Sequence, residues 1–316
     1  MLICTLERDK IESLSTIIED KNNLSPLNRF TPKDCSEEDK DVLIRMGMVN
    51  EEGNILDTIK PTINILTNPH AVAKLTFTGG VGTYEHNINY DASYKKYVSF
   101  TVMPNKFSID DETNLESLID TVQDFIGKSN LKSISISKKL NKNEALVIAS
   151  IIDMERRASL RAFVDEMAIN HNAYNANMIW RIINSTSTSI QWFVSILNKV
   201  IGGHATLTLQ QVQEALEQLI EKEIVVLNGG QYQLIGEMSQ LSDRMLIIDN
   251  VLSAQISKLE DQGIKIAGFT CIQSGVHDLL FLDYNGEEML LETITSGRLL
   301  EYLKIMLNCE TYISKL

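Results

Sequence analysis

Apolar and polar residues begin to alternate near residue 73. Three such runs, at about 73–78, 85–90 and 96–103, include "EHNINY" and "KYVSFTVM". A period of two belongs to half-buried strands, so three antiparallel strands are predicted there, followed by an amphipathic helix over about 112–127. The order returns late in the chain. Strands are predicted near 264–272, 277–284 and 287–294, with Asn285-Gly286 as a hairpin turn, and a closing helix over about 296–314.

The intervening segments read at the helical period. Asn141 and Glu144 have capping-box spacing and open a helix running to about Met167, with Leu146, Ile148, Ala149 and Ile152 on its apolar side. "SIQWFVSILNKV" sets Ile190, Phe193, Val194 and Leu197 on one face. "LTLQQVQEALEQLIEKEIVVLNGGQYQL" (Leu207–Leu234) is a helix with Leu209, Val212, Leu216, Leu219 and Ile220 buried, then a hairpin turning at Gly229-Gly230. A long helix is expected over Met238–Gln262, and a short strand over Lys132–Ser137.

The two halves are weakly self-similar. "TFTGGVGTYEHNINYD" (Thr76–Asp91) lies on "TCIQSGVHDLLFLDYN" (Thr270–Asn285) without a gap, matching Thr76 to Thr270 and Tyr90 to Tyr284. Leu43–Leu56 parallels Leu219–Leu234, and Tyr97–Val102 parallels Glu288–Ile294. Four matches in one order point to duplication, and two copies are too few for a solenoid. The predicted class is α+β with two lobes, residues 1–128 and 129–316. The second carries extra helices at about 142–200 and the helix-plus-hairpin segment 207–234.

Composition narrows the function classes. At 316 residues, 44% hydrophobic and 22% charged, the chain is globular. Its longest apolar run, Ala145–Ile152, is far below the roughly 20 residues of a membrane span. The opening "MLICTLERDK" is too short an apolar stretch for a secretion signal, so the expected location is the cytoplasm. A net charge of −13 disfavours broad binding to nucleic-acid phosphates. Four scattered cysteines, without a CxxC, read as reduced thiols.

The nearest thing to a catalytic motif is "TGGVGTY". A phosphate loop needs glycines leading from a strand into a helix. Here Glu85 stands where a third spaced glycine would be, and an alternating strand follows. Gly79, Gly80 and Gly82 therefore supply a hairpin turn. His70, His86, His171, His204 and His277 never pair at i, i+4, and acidic runs such as Ser36–Asp39 and Asp110–Glu112 read as first turns of helices. No serine stands in a GxSxG elbow. Neither an enzyme, a cofactor nor a metal is expected.

Leu207–Leu234, and the shorter Ser36–Leu56, resemble the last helix and wing of a winged-helix domain. That resemblance implies a groove-reading face at Gln210, Gln211 and Gln213, beside Glu214, Glu217 and Glu221, whose carboxylates would face phosphates. A DNA-binding transcription regulator acting through 207–234 is therefore the alternative reading. The basic stretch Lys128, Lys132, Lys138, Lys139 and Lys142, with Arg156, Arg157 and Arg161 nearby, is a candidate surface for an anionic partner. In architecture the acidic, two-halved chain resembles the EspG-like chaperones of type VII secretion. By that resemblance it is a non-enzymatic, cytosolic protein-binding factor, a chaperone or adaptor for a specific partner. The partner would be gripped by an exposed loop or sheet edge such as the hairpin Gly79, Gly80, Val81, Gly82, Thr83 and Tyr84.

Overall fold

A computed structural model describes residues 3–18, 20–80, 82–166, 174–185, 187, 189–261, 263–275 and 278–309. The chain forms two compact units. The first comprises Met1–Val122, Ser253–Gly268 and Leu300–Leu316; the second comprises Gln123–Leu252 and Phe269–Leu299. Neither unit is contiguous in sequence.

The first unit opens with strand β1 (Ile3–Leu6) and helices α1 (Arg8–Ile17), α2 (Glu37–Arg45) and α3 (Lys60–Thr67). Strands β2 (Ala71–Gly79), β3 (Gly82–Asp91), β4 (Lys96–Val102) and β5 (Phe107–Asp110) follow, then helix α4 (Leu115–Ile126). Ser36 caps α2 by accepting from the Asp39 N–H, and Glu37, Glu38 and Asp39 lie in its first turn, as the acidic run predicts. Asp39 also pairs with Lys10 and accepts from Ser13, tying α2 to α1. Strands run in the order β1-β5-β4-β3-β2, and each of these four pairings is antiparallel. One face covers a core that includes Leu6, Leu14, Leu43, Ile65, Phe100 and Phe107. Phe30 meets Phe107 edge-on at 4.9 Å.

The second unit starts at β6 (Ser137–Asn141) and α5 (Lys142–Val164), continues through α6 (Ala176–Ile183), α7 (Phe193–Val200) and α8 (Leu209–Glu221), and adds the hairpin β7 (Val225–Asn228) and β8 (Gln231–Leu234). Then come α9 (Gly236–Arg244), the strands β9 (Asn250–Glu260), β10 (Gly263–Ser274), β11 (Asp278–Tyr284) and β12 (Glu288–Ile294), and helix α10 (Ser296–Leu307). The far portions of β9, β10 and α10 belong to the first unit. In the second, β10-β11-β12-β6 are successive neighbours. The capping box at Asn141 and Glu144 is present, and Thr208 with Gln211 makes another at the start of α8. Leu146, Ile148, Ala149 and Ile152 are fully buried with Ile179, Phe193, Leu216 and Leu280.

Several sequence expectations need correction. Met238–Gln262 is not one helix: α9 ends at Arg244, and Asn250–Glu260 is a strand, with Gln262 outside the described residues. Leu252, Ala254 and Ile256 are buried while Ser253, Gln255 and Ser257 are half-buried, which is period two. The strand expected at Lys132–Ser137 lies later, at Ser137–Asn141, where it pairs with β12. Upstream of it, Ile136 N–H donates to Thr293 Oγ1 at 2.9 Å, Ile134 C=O accepts from the same hydroxyl, and Thr293 N–H donates to the Ile136 carbonyl at 3.0 Å, so that stretch is held at the single residue Thr293. The closing helix ends at Leu307, and residues 310–316 lie outside the described set.

Candidate functional site

The glycine-rich stretch is a strand connection. Gly79 pairs with Gly82, so β2 and β3 are joined by residues 80 and 81, of which Val81 lies outside the described residues. Gly82 has φ +123, a conformation that side-chain-bearing residues rarely adopt, so the sequence needs glycine there. Gly80 and Thr83 are exposed, with Thr83 Oγ1 3.3 Å from Thr78 Oγ1 across the pair; Tyr84 faces Phe77 in register.

Behind the tip, the hairpin is anchored by a charged cluster. Glu85 Oε2 meets Lys74 Nζ at 2.8 Å, and Glu85 Oε1 meets Arg29 Nη2 at 2.6 Å and accepts from Asn87 Nδ2 at 2.9 Å. Burial works to raise the Glu85 carboxyl, but the bonds from Lys74 and Asn87 and the two cations hold it below the usual range. One residue along, burial lowers His86, whose Nδ1 lies 2.9 Å from Thr101 Oγ1 and whose ring meets Phe77 edge-on. The turn thus rises from a base tied across the strands by two ion pairs and side-chain hydrogen bonds. It is a loop and not a sheet edge, because β2 lies between β3 and β9, and β3 between β2 and β4. Within the first unit the order ends at β1, and within the second at β6.

The lysines do not form one surface. Lys138 and Lys139 are consecutive in β6 and so point to opposite faces. Lys138 faces Glu237 at 3.7 Å, Lys132 Nζ lies 3.4 Å from the Thr293 carbonyl, Lys128 is exposed, and Lys142 begins α5. Arg156 is buried and bonded to Asp153 and Gln191. On α8, Gln211 accepts from the Thr208 N–H with its amide oxygen, and Gln210 donates to Glu214. Gln213 is exposed. Two of the three glutamines are therefore engaged within their own helix.

The sequence reading missed an apolar surface on the β9–β10 hairpin. Ile266 is 63% exposed, and Ile264 and Leu259 are exposed beside it. Ile264 and Ile266 flank Lys265 and share one face of β10. Their alternation in "GIKIAGF" was the available signal, and placing 238–262 in a helix concealed the partner strand.

Among the described residues no group of three His, Cys, Asp or Glu side chains is placed to hold a metal ion, and no helix is long and apolar enough to cross a membrane. His171 and His277 lie outside the described residues. All four cysteines are free.

No family model matches the sequence, and no curated protein matches it. Among solved structures, the fold is similar to that of the Mycobacterium tuberculosis type VII secretion system chaperone EspG5, determined in complex with a PE25–PPE41 dimer. The likeness has a TM-score of 0.55 at 10% sequence identity, covering 97% of this chain and 96% of that one. At such identity the likeness is one of fold.

Proposed function

We propose that the protein is a non-enzymatic binding factor, a chaperone or adaptor in the cytoplasm, that engages a specific protein through the Gly79–Tyr84 hairpin tip. The observation that carries this reading is the whole-chain likeness to a chaperone solved with a protein dimer. The hairpin geometry supports it. A partner meeting a two-residue turn whose base is tied by ion pairs and hydrogen bonds orders few new degrees of freedom, which keeps the entropic cost of association low.

Element order supports a duplicated chain. The run α2, the bridge Val49–Ile55, α3, β2, β3, β4, β5, α4 is followed later by α8, β7–β8, α9, β9, β10, β11, β12, α10. In that correspondence the β2–β3 turn stands opposite β9–β10, one hairpin earlier than the sequence alignment of Thr76 with Thr270 places it. Gly82 then matches Gly263, and both have positive φ, +123 and +137. The polar tip of one copy and the apolar Ile264 and Ile266 of the other are two chemically different contact surfaces. The DNA-reading alternative gains no such support, since the α8 glutamines are partly engaged and its neighbours are acidic.

The test is affinity capture from native lysate with mass spectrometry, run in parallel on the wild type and on Thr83→Ala/Tyr84→Ala. A partner retained by the wild type and lost by the variant is expected. Repeated captures without a specific partner, or equal retention by the variant, would sink the reading.

A further inference from the structure

On α5, Met154, Arg157, Ala158 and Arg161 recur at helical spacing and so share one face. Met178, Arg181 and Ile182 of α6 oppose them, and Tyr174 and Trp192 complete the wall of a cavity of about 430 Å³. The volume lies within the range of pockets that take an anchoring group. Its lining is chiefly apolar and aromatic, and it includes three exposed arginines, Arg157, Arg161 and Arg181.

Those arginines are underused. Arg161 meets Asp165 at 3.5 Å, while among the described residues Arg157 and Arg181 form no ion pair. The chain has 42 acidic side chains against 29 basic ones, so three cations around one apolar cavity run against its overall balance. Mutual repulsion gives the free protein no benefit from that arrangement. Apolar surface also extends beyond the cavity: Phe163 is 82% exposed and Val164 76% exposed at the end of α5, and Met178 is exposed on α6. A small solute filling the cavity would leave these side chains in water, whereas a polypeptide would cover them.

We propose that this cavity docks a segment of a protein partner that inserts one large apolar side chain and sets flanking carboxylates against Arg157, Arg161 and Arg181. Guanidinium suits the task, because its fork of donors holds a carboxylate through two hydrogen bonds. The aromatic wall of Tyr174 and Trp192 supplies area for the anchor at low rotamer cost. The proposal rests on the protein-binding reading and places a contact at a surface separate from the β2–β3 hairpin.

The experiment is selection of a random-peptide phage library on the immobilised full-length protein. Enriched peptides are then titrated against the wild type, Arg157→Gln/Arg181→Gln and Thr83→Ala/Tyr84→Ala. Enriched sequences should carry Leu, Phe, Trp or Met flanked by Asp or Glu. They should lose roughly tenfold or more in affinity on the arginine variant, as expected when charge-assisted contacts are removed, and keep full affinity for the hairpin variant. Binding should shift the emission of Trp192, a change abolished in Trp192→Phe. The replaced arginines are exposed, so circular dichroism should be unchanged. No enrichment, or peptides that ignore the arginine substitutions, would overturn the proposal. The capture experiment on the hairpin reads a different surface, so the two ideas can fail separately.

Discussion

Replacing Asp153 with alanine removes the carboxylate on which three segments of the second unit converge. Its Oδ1 accepts from the Phe193 N–H at 2.8 Å and its Oδ2 from the Val194 N–H at 3.0 Å. These are first-turn donors of α7, and Trp192, at the N-cap, offers no side-chain acceptor of its own. Arg156 Nη1 donates to Asp153 at 3.0 Å and to the Gln191 carbonyl at 2.7 Å, and Arg156 Nε donates to the Leu246 carbonyl at 3.2 Å. Gln191 then exchanges two hydrogen bonds with the backbone of Ile248. Arg156 is only 4% exposed, so deletion of its partner strands a buried charge, at about 3–5 kcal/mol. The two orphaned N–H groups add about 1–3 kcal/mol each before relaxation. Because the effects overlap, Asp153→Ala should cost about 4–6 kcal/mol in all. Asp153→Ala/Arg156→Met discards the stranded charge but not the lost cap, so it should cost about 2 kcal/mol less than the sum of the single variants. Both tryptophans, Trp180 and Trp192, lie in the second unit, so urea unfolding followed by their emission at pH 7.5 reports on it. A loss below about 1 kcal/mol for Asp153→Ala, or strict additivity in the double variant, would refute the reasoning. The pH dependence has a definite sign. Burial pushes the Asp153 carboxyl up to about 6, against the pull of the two N–H groups and Arg156. Between its ordinary 3.8 and that value the folded chain holds a proton that the unfolded chain has lost, so the contribution of this group to stability falls as pH rises through the window.

Other outcomes follow from single observations. A Cβ on Gly268 would stand 2.4 Å from the Ala254 carbonyl oxygen and 3.0 Å from Gln255 Cα, both backbone, so Gly268→Ala should destabilise by about 1–3 kcal/mol in thermal unfolding. Among the described residues the buried Tyr174 hydroxyl has no hydrogen-bond partner, and its ionisation is pushed up by burial, so Tyr174→Phe should leave stability unchanged or raise it by about 1 kcal/mol. Glu85 is held below its ordinary 4.5, which gives stability that is present above that pH and lost as pH falls below it; Glu85→Gln should flatten the acid limb of a pH–stability curve. Burial raises the thiols of Cys4 to about 11 and of Cys271 and Cys309 to about 12, so a thiol reagent at neutral pH should modify the half-exposed Cys35 first and the other three only on unfolding.

Much of the fold was legible where period and punctuation agreed. "KYVSFTVM" and "NINYD" alternate cleanly, Asn285-Gly286 marks its turn, and Asn141 with Glu144 marks the start of α5; all are where the pattern places them. Met238–Gln262 failed because neither glycine nor proline breaks it, and "SQLSDRMLIIDNVLSAQISKL" fits a helical stripe as readily as a strand over its second half. Tertiary pairing decided the matter. β1 and β5 are four residues each, too short for a period to declare itself. As for the candidate site, the glycines announced a turn, but the ion cluster beneath it joins Arg29 to Lys74 and Glu85 across long separations that only folding closes. The arginine-rimmed cavity was half visible: Arg157 and Arg161 were noticed, while Arg181 and Trp192 come from other helices.

The two-residue turn between β2 and β3 also bears on how such a protein diversifies. Loop closure grows more costly only with the logarithm of length, about 0.6 kcal/mol for each doubling. Lengthening this turn from two residues to eight would thus cost about 1.2 kcal/mol, a small fraction of the stability of an ordinary domain. The antiparallel register from Ala71 to Gly79 and the Glu85 cluster would hold the strands in place whatever is spliced between them. Reach and shape at the tip are therefore free to drift by insertion while the scaffold stays the same, so a lineage can acquire new recognition by changing the length of one loop.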